Sequence, residues 1–114
     1  MQLNIKASNL ELTEKIKNYI QLKVDMLEKF LGNIQALNAG FEVELTTKHH
    51  LKGKIYYAEM NLEVPGELLR VEKTEKDLFK AIDKVKDHMA LVIKKYKEKK
   101  VERKRQKQKS DAMV

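Results

Sequence analysis

Residues 74–100, TEKDLFKAIDKVKDHMALVIKKYKEKK, set the architecture of the chain. At about 100° per residue, Leu78, Ile82, Val85, Met89, Val92, Ile93 and Tyr96 fall on one narrow arc, an apolar stripe at helical spacing that must cover another layer. Thr74 is the expected N-cap, with Asp77 three residues on reaching back to it and Glu75 adding negative charge to the first turn. Beside the stripe, Lys80, Lys84, His88, Lys95 and Lys99 line one flank, where Asp83 and Asp87 do not intrude. The plain reading of such a ridge is a solvated helix flank. The basic segment downstream of the helix shifts the balance.

The 114 residues carry a net charge of +7, unevenly spread. Residues 97–109, KEKKVERKRQKQK, hold eight Lys/Arg against Glu98 and Glu102, or +6; Asp111 subtracts one, leaving +2 for residues 1–96. A nearly balanced body with a basic end suggests a polyanionic partner, RNA, DNA or an anionic membrane surface. The length suits one domain with its own core. We divide it into an α+β domain over residues 1–100 and a basic tail over 101–114, a frayed helical extension followed by a disordered end. Lys100, Arg103, Lys104, Arg105, Lys107 and Lys109 make that tail an electrostatic element. The absence of cysteine excludes disulfides and thiolate chemistry and fits a reducing cytosol. No signal pattern opens the sequence, and no apolar run approaches the ~18 residues of a membrane span. The expectation is a soluble, cytoplasmic protein that engages no membrane.

Upstream of the long helix the period changes. Leu3, Ile5 and Ala7 alternate with Gln2, Asn4 and Lys6, the pattern of a half-buried strand. Thr13 caps a helix from Glu14 to Leu31 that Gly32 terminates, with Ile16, Tyr19, Ile20, Val24, Met26, Leu27, Phe30 and Leu31 as its apolar positions. Lys23 sits inside that arc by angle, so its ammonium must snorkel to water or to a carboxylate. From Leu37 the period returns to two: Ala39, Phe41, Val43 and Leu45 share one face. A polar hairpin loop around His49, His50, Lys52 and Gly53 precedes a third strand from Ile55, with Tyr56, Ala58, Met60, Leu62 and Val64 inward. Pro65-Gly66 forms a tight turn, and residues 67–73 make a fourth strand with Leu69 and Val71 inward.

The order β-α-β-β-β-α predicts a four-stranded sheet with both helices on one face, an arrangement like that of double-stranded-RNA-binding domains. The open sheet face should present Glu42, Glu44, Glu59, Glu63 and Glu72 against Lys6 and Arg70. Tyr57 is the lone aromatic among those carboxylates, so base stacking on the sheet is disfavoured. Lys15, Lys17 and Lys29 of the first helix join the ridge and tail on the helix side. A nucleic acid should meet the helices, mainly through phosphates and riboses.

No catalytic constellation emerges. Ser8 and Ser110 lie in a connector and the tail with no base beside them, and the four glycines are isolated. His49-His50 lacks a third metal ligand at useful spacing and reads as a solvated loop. We expect no enzyme, no metal, no cofactor and no small-molecule substrate.

QLNI at residues 2–5, NLELTE at 9–14, the Lys23 and Leu27-Glu28 ending of the first helix, and DLFKAID at 77–83 together resemble the family of ribosome hibernation-promoting factor and ribosome-associated inhibitor A. The resemblance runs from Met1 to about Lys99. It implies the same fold and a translation inhibitor that binds the decoding region of the small ribosomal subunit, blocks mRNA and tRNA sites, and holds idle ribosomes under stress or in stationary phase. It matches family basic positions to Lys17 and Lys23 on the first helix and to Lys95 and Lys97 on the second. Phe79 replaces the family's usual Tyr, and His88, Leu91 and Val92 stand where the family often has Lys, Arg and Gln, which leaves Lys84, Lys86 and Lys94 to compensate. The length resembles the family's short forms, which are expected to be monomeric when free. They divide into promoters of ribosome dimers and stabilisers of inactive single ribosomes, and the basic tail does not assign the subtype. Two other readings stand beside this one: a generic double-stranded RNA module, separable by its indifference to intact subunits, and a protein-interaction modulator of a transcription factor, separable by a shallow salt dependence.

Overall fold

The computed structural model describes residues 1–46 and 53–112, with side chains through Val101. The elements run β1 (Gln2–Ser8), α1 (Glu14–Leu31), β2 (Asn38–Thr46), β3 (Ile55–Val64), β4 (Glu67–Glu75) and α2 (Leu78–Ala112), the order expected for the α+β fold. The sheet is ordered β1-β2-β3-β4. β1 pairs in parallel with β2 through the α1 crossover, with Leu3 opposite Ala39 and Ile5 opposite Phe41. β2, β3 and β4 pair antiparallel, with Phe41 opposite Met60 and Met60 opposite Val71. The hairpin loop with His49, His50 and Lys52 lies outside the described residues. No described helix is long and apolar enough to cross a membrane.

α1 has the predicted bounds. The Thr13 hydroxyl accepts the Ile16 N–H at 3.3 Å, and Gly32 leaves the helix at φ 58°, a left-handed value that a side chain resists. Gly66 at φ 80° closes the Pro65-Gly66 turn for the same reason. The core is one cluster. Ile20, Val24, Leu27 and Leu31 of α1 and Leu78, Ile82, Val85, Met89, Ile93 and Tyr96 of α2 bury against Ala39, Phe41, Val43, Ala58, Met60, Leu62 and Val71 of the sheet. Both helices therefore cover one face. They run in parallel: Tyr19 meets Phe79 edge to face at 4.9 Å, Lys23 meets Asp83, and a Cβ at Gly32 would meet the Lys97 ammonium at 3.4 Å. The Tyr96 hydroxyl donates to the Pro65 carbonyl at 2.6 Å and ties the end of the stripe to the β3–β4 turn.

The structure differs from the sequence reading at four places. Thr74 does not cap α2; it pairs with Tyr57 in β4, which runs two residues beyond Lys73 because β3 offers partners that far. Asp77 caps instead, its Oδ1 accepting the Lys80 N–H at 3.1 Å. Met26 and Phe30 lie outside the core at 37% and 51% exposure, because α2 spans only part of that flank of α1. Glu59 points to the open sheet face but is buried, under Arg70 and Tyr57. Finally, α2 continues past Lys100 to Ala112; residues 101–112 hold no Gly or Pro and are mostly strong helix formers.

The cap assignment has a direct check. Asp77→Ala should cost about 1 kcal/mol by leaving first-turn N–H groups unpaired, lowering the melting temperature by about 4–8 °C. Thr74→Ala, on an exposed strand position, should stay within about 0.5 kcal/mol in the same circular-dichroism melt.

Candidate nucleic-acid interface

The cations chosen from the sequence all lie in the helical layer, but they divide into strips. Tyr19 and Lys23 mark the side of α1 that meets α2, and Phe79, Asp83 and Lys97 mark the matching side of α2. At about 100° per residue Lys86 and Lys94 fall on or beside that side. Lys80, Lys84, His88, Lys95 and Lys99 form the predicted ridge on the opposite flank, which runs along β4. There Lys84 pairs with Glu75, and Lys99 approaches Glu67 at 3.9 Å. Lys84, Asp87, His88 and Leu91 line a shallow open depression with Glu72, Lys73 and Thr74, so Asp87 does border the ridge. Lys17 comes two residues before Tyr19, about 160° around α1 from the groove, and pairs with Glu14 at 3.5 Å. The ridge and the groove are thus opposite sides of one helix, with its exposed crest between them.

Their availability also differs. Lys94 and Lys95 are exposed and make no ion pair among the described residues. Lys86 is half-buried and pairs with Asp87 at 2.7 Å. The Lys100 ammonium sits 5.1 Å from the Tyr96 ring centre, a cation–π contact that anchors the start of the basic segment. Arg103, Lys104, Arg105, Lys107 and Lys109 lie on the last turns of α2, where side chains are not described.

Lys23 is the most constrained cation. Its side chain is 17% exposed, and its ammonium contacts Asp83 Oδ1 at 3.1 Å. The Tyr19 hydroxyl donates to the same oxygen at 2.6 Å, and the ammonium also sits 5.0 Å from the Tyr19 ring centre. The bond to Asp83 raises the Lys23 pKa although burial opposes it. Burial pushes Asp83 upward, yet the Tyr19 and Lys23 contacts outweigh it and hold the carboxyl below its ordinary value. The bond to Asp83, with burial, raises the Tyr19 phenol. Lys23 snorkels, as its position required, and its carboxylate is on the other helix. That pairing was hidden because Asp83 is 60 residues away in sequence.

The open sheet face is acidic in composition but internally committed. Tyr57 donates to Glu72 at 2.6 Å and to Glu59 at 3.0 Å. Arg70 donates to Glu59 at 2.7 Å and to Glu72 at 3.2 Å. Burial, then the bonds to Glu72 and Glu59, push the Tyr57 phenol well above its usual range. Burial works against the charge on Glu59, but bonds from Tyr57, Arg70 and Asn61 hold its carboxyl below the ordinary value. Glu42, Glu44 and Glu63 remain as further negative groups of this face. Among the described residues carboxylates outnumber cations on this face, which disfavours a phosphate backbone there.

Residues 3–101 match the family model described as sigma 54 modulation protein / S30EA ribosomal protein. The chain belongs to this family. A relative from Azotobacter vinelandii, named ribosome hibernation promoting factor, is 30% identical over 114 residues, covering 100% of this chain and 99% of that protein. A Lactococcus lactis relative, named ribosome hibernation promotion factor, is 28% identical over 97 residues; the match covers 85% of this chain and 50% of the longer protein. The crystal structure of the Thermus thermophilus Protein Y N-terminal domain superposes with a TM-score of 0.71 at 29% identity, over 84% of this chain and 99% of that domain. Relatives thus bear out the family resemblance and the β-α-β-β-β-α fold, and their names associate this fold with ribosome hibernation.

The Lys23–Asp83 contact generates a stability test. Lys23→Ala, Asp83→Ala and the double variant should show a coupling of about 0.5–3 kcal/mol in a denaturation cycle. Because the folded pKa of Asp83 is depressed, its contribution is present above the ordinary Asp value of about 4 and lost as pH falls through the folded value. Lys23 has the opposite sign: its contribution is present below about 10.4 and lost as pH rises through its raised value. Asp83→Asn should therefore flatten part of the acid limb of the stability curve, while Glu59 and Glu75, whose carboxyls are also held below their ordinary value, keep the rest.

Proposed function

We propose that the protein is a non-enzymatic ribosome hibernation factor that binds rRNA at the decoding region of the small ribosomal subunit in the cytoplasm and blocks mRNA and tRNA sites. The observation that carries this reading is the division of charge across the fold. Two parallel helices turn Lys80, Lys84, Lys94, Lys95, Lys97 and Lys99 outward on one side, and the other side bears carboxylates. The names of relatives support a ribosomal partner, and the charge division supports the helical side as the one that would meet it. Inhibition by occupancy requires no reacting group, only a rigid body in place of tRNA and mRNA.

The ridge along β4 suits exchange of partners. Lys99–Glu67 is exposed on both sides, a pair that contributes little to stability and is readily traded for a phosphate contact, and Lys84 presents an exposed stem above a half-buried Glu75. Lys23 is different: its ammonium already holds two helices together, so its effect on binding runs through the spacing of those helices. Lys97, at the carbonyl end of α1, both complements that helix end and borders the groove.

Cosedimentation with purified small subunits tests the face. Lys95→Glu with Lys97→Glu should weaken binding at least about tenfold and flatten its salt dependence, with the fold verified by a melt. Glu42→Gln with Glu63→Gln should leave affinity within about twofold. Equal losses in the two variants would place the interface on the wrong side, and equal affinity for any long duplex would replace a ribosome factor with a generic RNA module.

The basic end of α2 is tested by deleting residues 101–114. Its cations are Arg103, Lys104, Arg105, Lys107 and Lys109, against Glu102 and Asp111. If three of them meet phosphates, the slope of log K against log salt should fall by roughly 2–3, at about 0.7–0.9 per contact. Thermal stability should barely change, since the buried stripe of α2 ends at Tyr96.

A further inference from the structure

Three large apolar side chains of α1 stand in one exposed row. Leu22, Met26 and Phe30 are 55%, 37% and 51% exposed, and their spacing of four residues makes them neighbours along the helix surface. None is needed to close the core, which α1 reaches through Ile20, Val24, Leu27 and Leu31. The row borders the α1–α2 groove, because Tyr19 and Lys23, on the same side of α1, already touch α2. Lysines flank it: Lys29 on α1, and Lys94 and Lys97 on α2, with the Lys97 ammonium reaching the end of α1 beside Gly32. The acidic groups Asp25 and Glu28 are turned about 100° or more around α1 from Met26 and Phe30.

An apolar strip between cations fits a ligand with alternating flat apolar faces and negative charge. An unpaired stretch of RNA has both. Duplex RNA would present only phosphates and riboses here and leave the aromatic ring facing water. A protein partner would need an acidic amphipathic segment, and with Phe30 the one aromatic among three side chains the row offers such a segment only a narrow seat. We propose that Phe30 is a stacking platform for an unpaired nucleobase, with Met26 and Leu22 extending the apolar wall and Lys94, Lys97 and Lys29 holding the adjoining phosphates. This inference rests on the ribosome-binding reading and deepens it. Binding is then not purely electrostatic: part of it comes from stacking, which salt does not screen and which discriminates single-stranded from paired RNA.

The chain contains no tryptophan, so Phe30→Trp installs a sole indole reporter at the platform. Binding purified small subunits should quench its emission, and Phe30→Trp and Phe30→Tyr should retain wild-type affinity. Phe30→Ala should weaken binding roughly 5- to 100-fold with an unchanged salt slope, whereas Lys94→Ala should reduce the slope by about 0.7–0.9. A melt of Phe30→Ala within a few degrees of wild type excludes a folding cause. Small-subunit binding with no change in emission and no loss in Phe30→Ala would overturn the platform and leave the ribosome reading standing. Wild type that ignores small subunits, while the Phe30→Trp indole is still quenched by single-stranded oligo(rA) and not by an abasic oligomer of equal charge, would retain the platform and remove the ribosome reading. Two further results overturn it: stronger quenching by an acidic amphipathic peptide than by oligo(rA), and self-association in sedimentation that Phe30→Ala abolishes.

Discussion

The apolar stripe from Leu78 to Tyr96 has one surface wide enough to receive it, the inward face of β3 and β4. Leu78, Ile82, Val85, Met89, Ile93 and Tyr96 are all buried there, and each large aliphatic so buried contributes on the order of 1.5–3 kcal/mol relative to exposure. Once α2 occupies that half of the sheet, α1 must cover the rest, since β1 and β2 would otherwise expose Ala39, Phe41 and Val43. The parallel β1–β2 pairing fixes the direction of the crossover helix, and three antiparallel strands later α2 runs the same way. Two parallel helices side by side are a consequence of strand order. The groove between them inherits whatever residues their facing sides carry.

On those facing sides lie a hydrogen-bonded ion pair, an aromatic contact and a strip of uncommitted surface. Tyr19, Lys23 and Asp83 close the upper part of the groove. Below them the helices leave Met26 and Phe30 in the open. The two ends differ: one sets the separation of the helices, and the other leaves apolar side chains exposed. A lysine in the closed part and a lysine on the β4 ridge are the same residue type with different roles. Burial and geometry distinguish them, since the Lys23 stem is largely buried and its ammonium is held between Asp83 and the Tyr19 ring, whereas the Lys84 and Lys99 side chains are exposed.

The open sheet face shows the converse. Its carboxylates are numerous, yet Glu59 and Glu72 are held by Tyr57 and Arg70 in one network that spans β3 and β4. This converts a row of like charges, which would repel across neighbouring strands, into a cross-strand brace. Glu42, Glu44 and Glu63 keep that face negative, while most of the described lysines lie in the helical layer.

Every element was legible in the sequence because each follows from a period: two for the strands, 3.6 for the helices, with Thr13, Gly32 and Pro65-Gly66 as punctuation. The basic side was legible too, because alternation on the strands and angle on the helices assign residues to faces without knowledge of any contact. The hidden features depended on pairs distant in sequence. Thr74 or Asp77 could each cap α2 by local rules, and only the length of β3 decided for Asp77. Lys23 required a carboxylate, and only the packing of α1 beside α2 supplied Asp83. Met26 and Phe30 counted among the apolar positions of α1, but α2 reaches only part of that flank and leaves them in solvent. Local periodicity along the chain was enough to set the elements, their order and the sign of each face. Folding alone settled which lysines are free, which carboxylates are buried and which apolar side chains remain available, because exposure and pairing are relations between surfaces that meet only once the chain has folded.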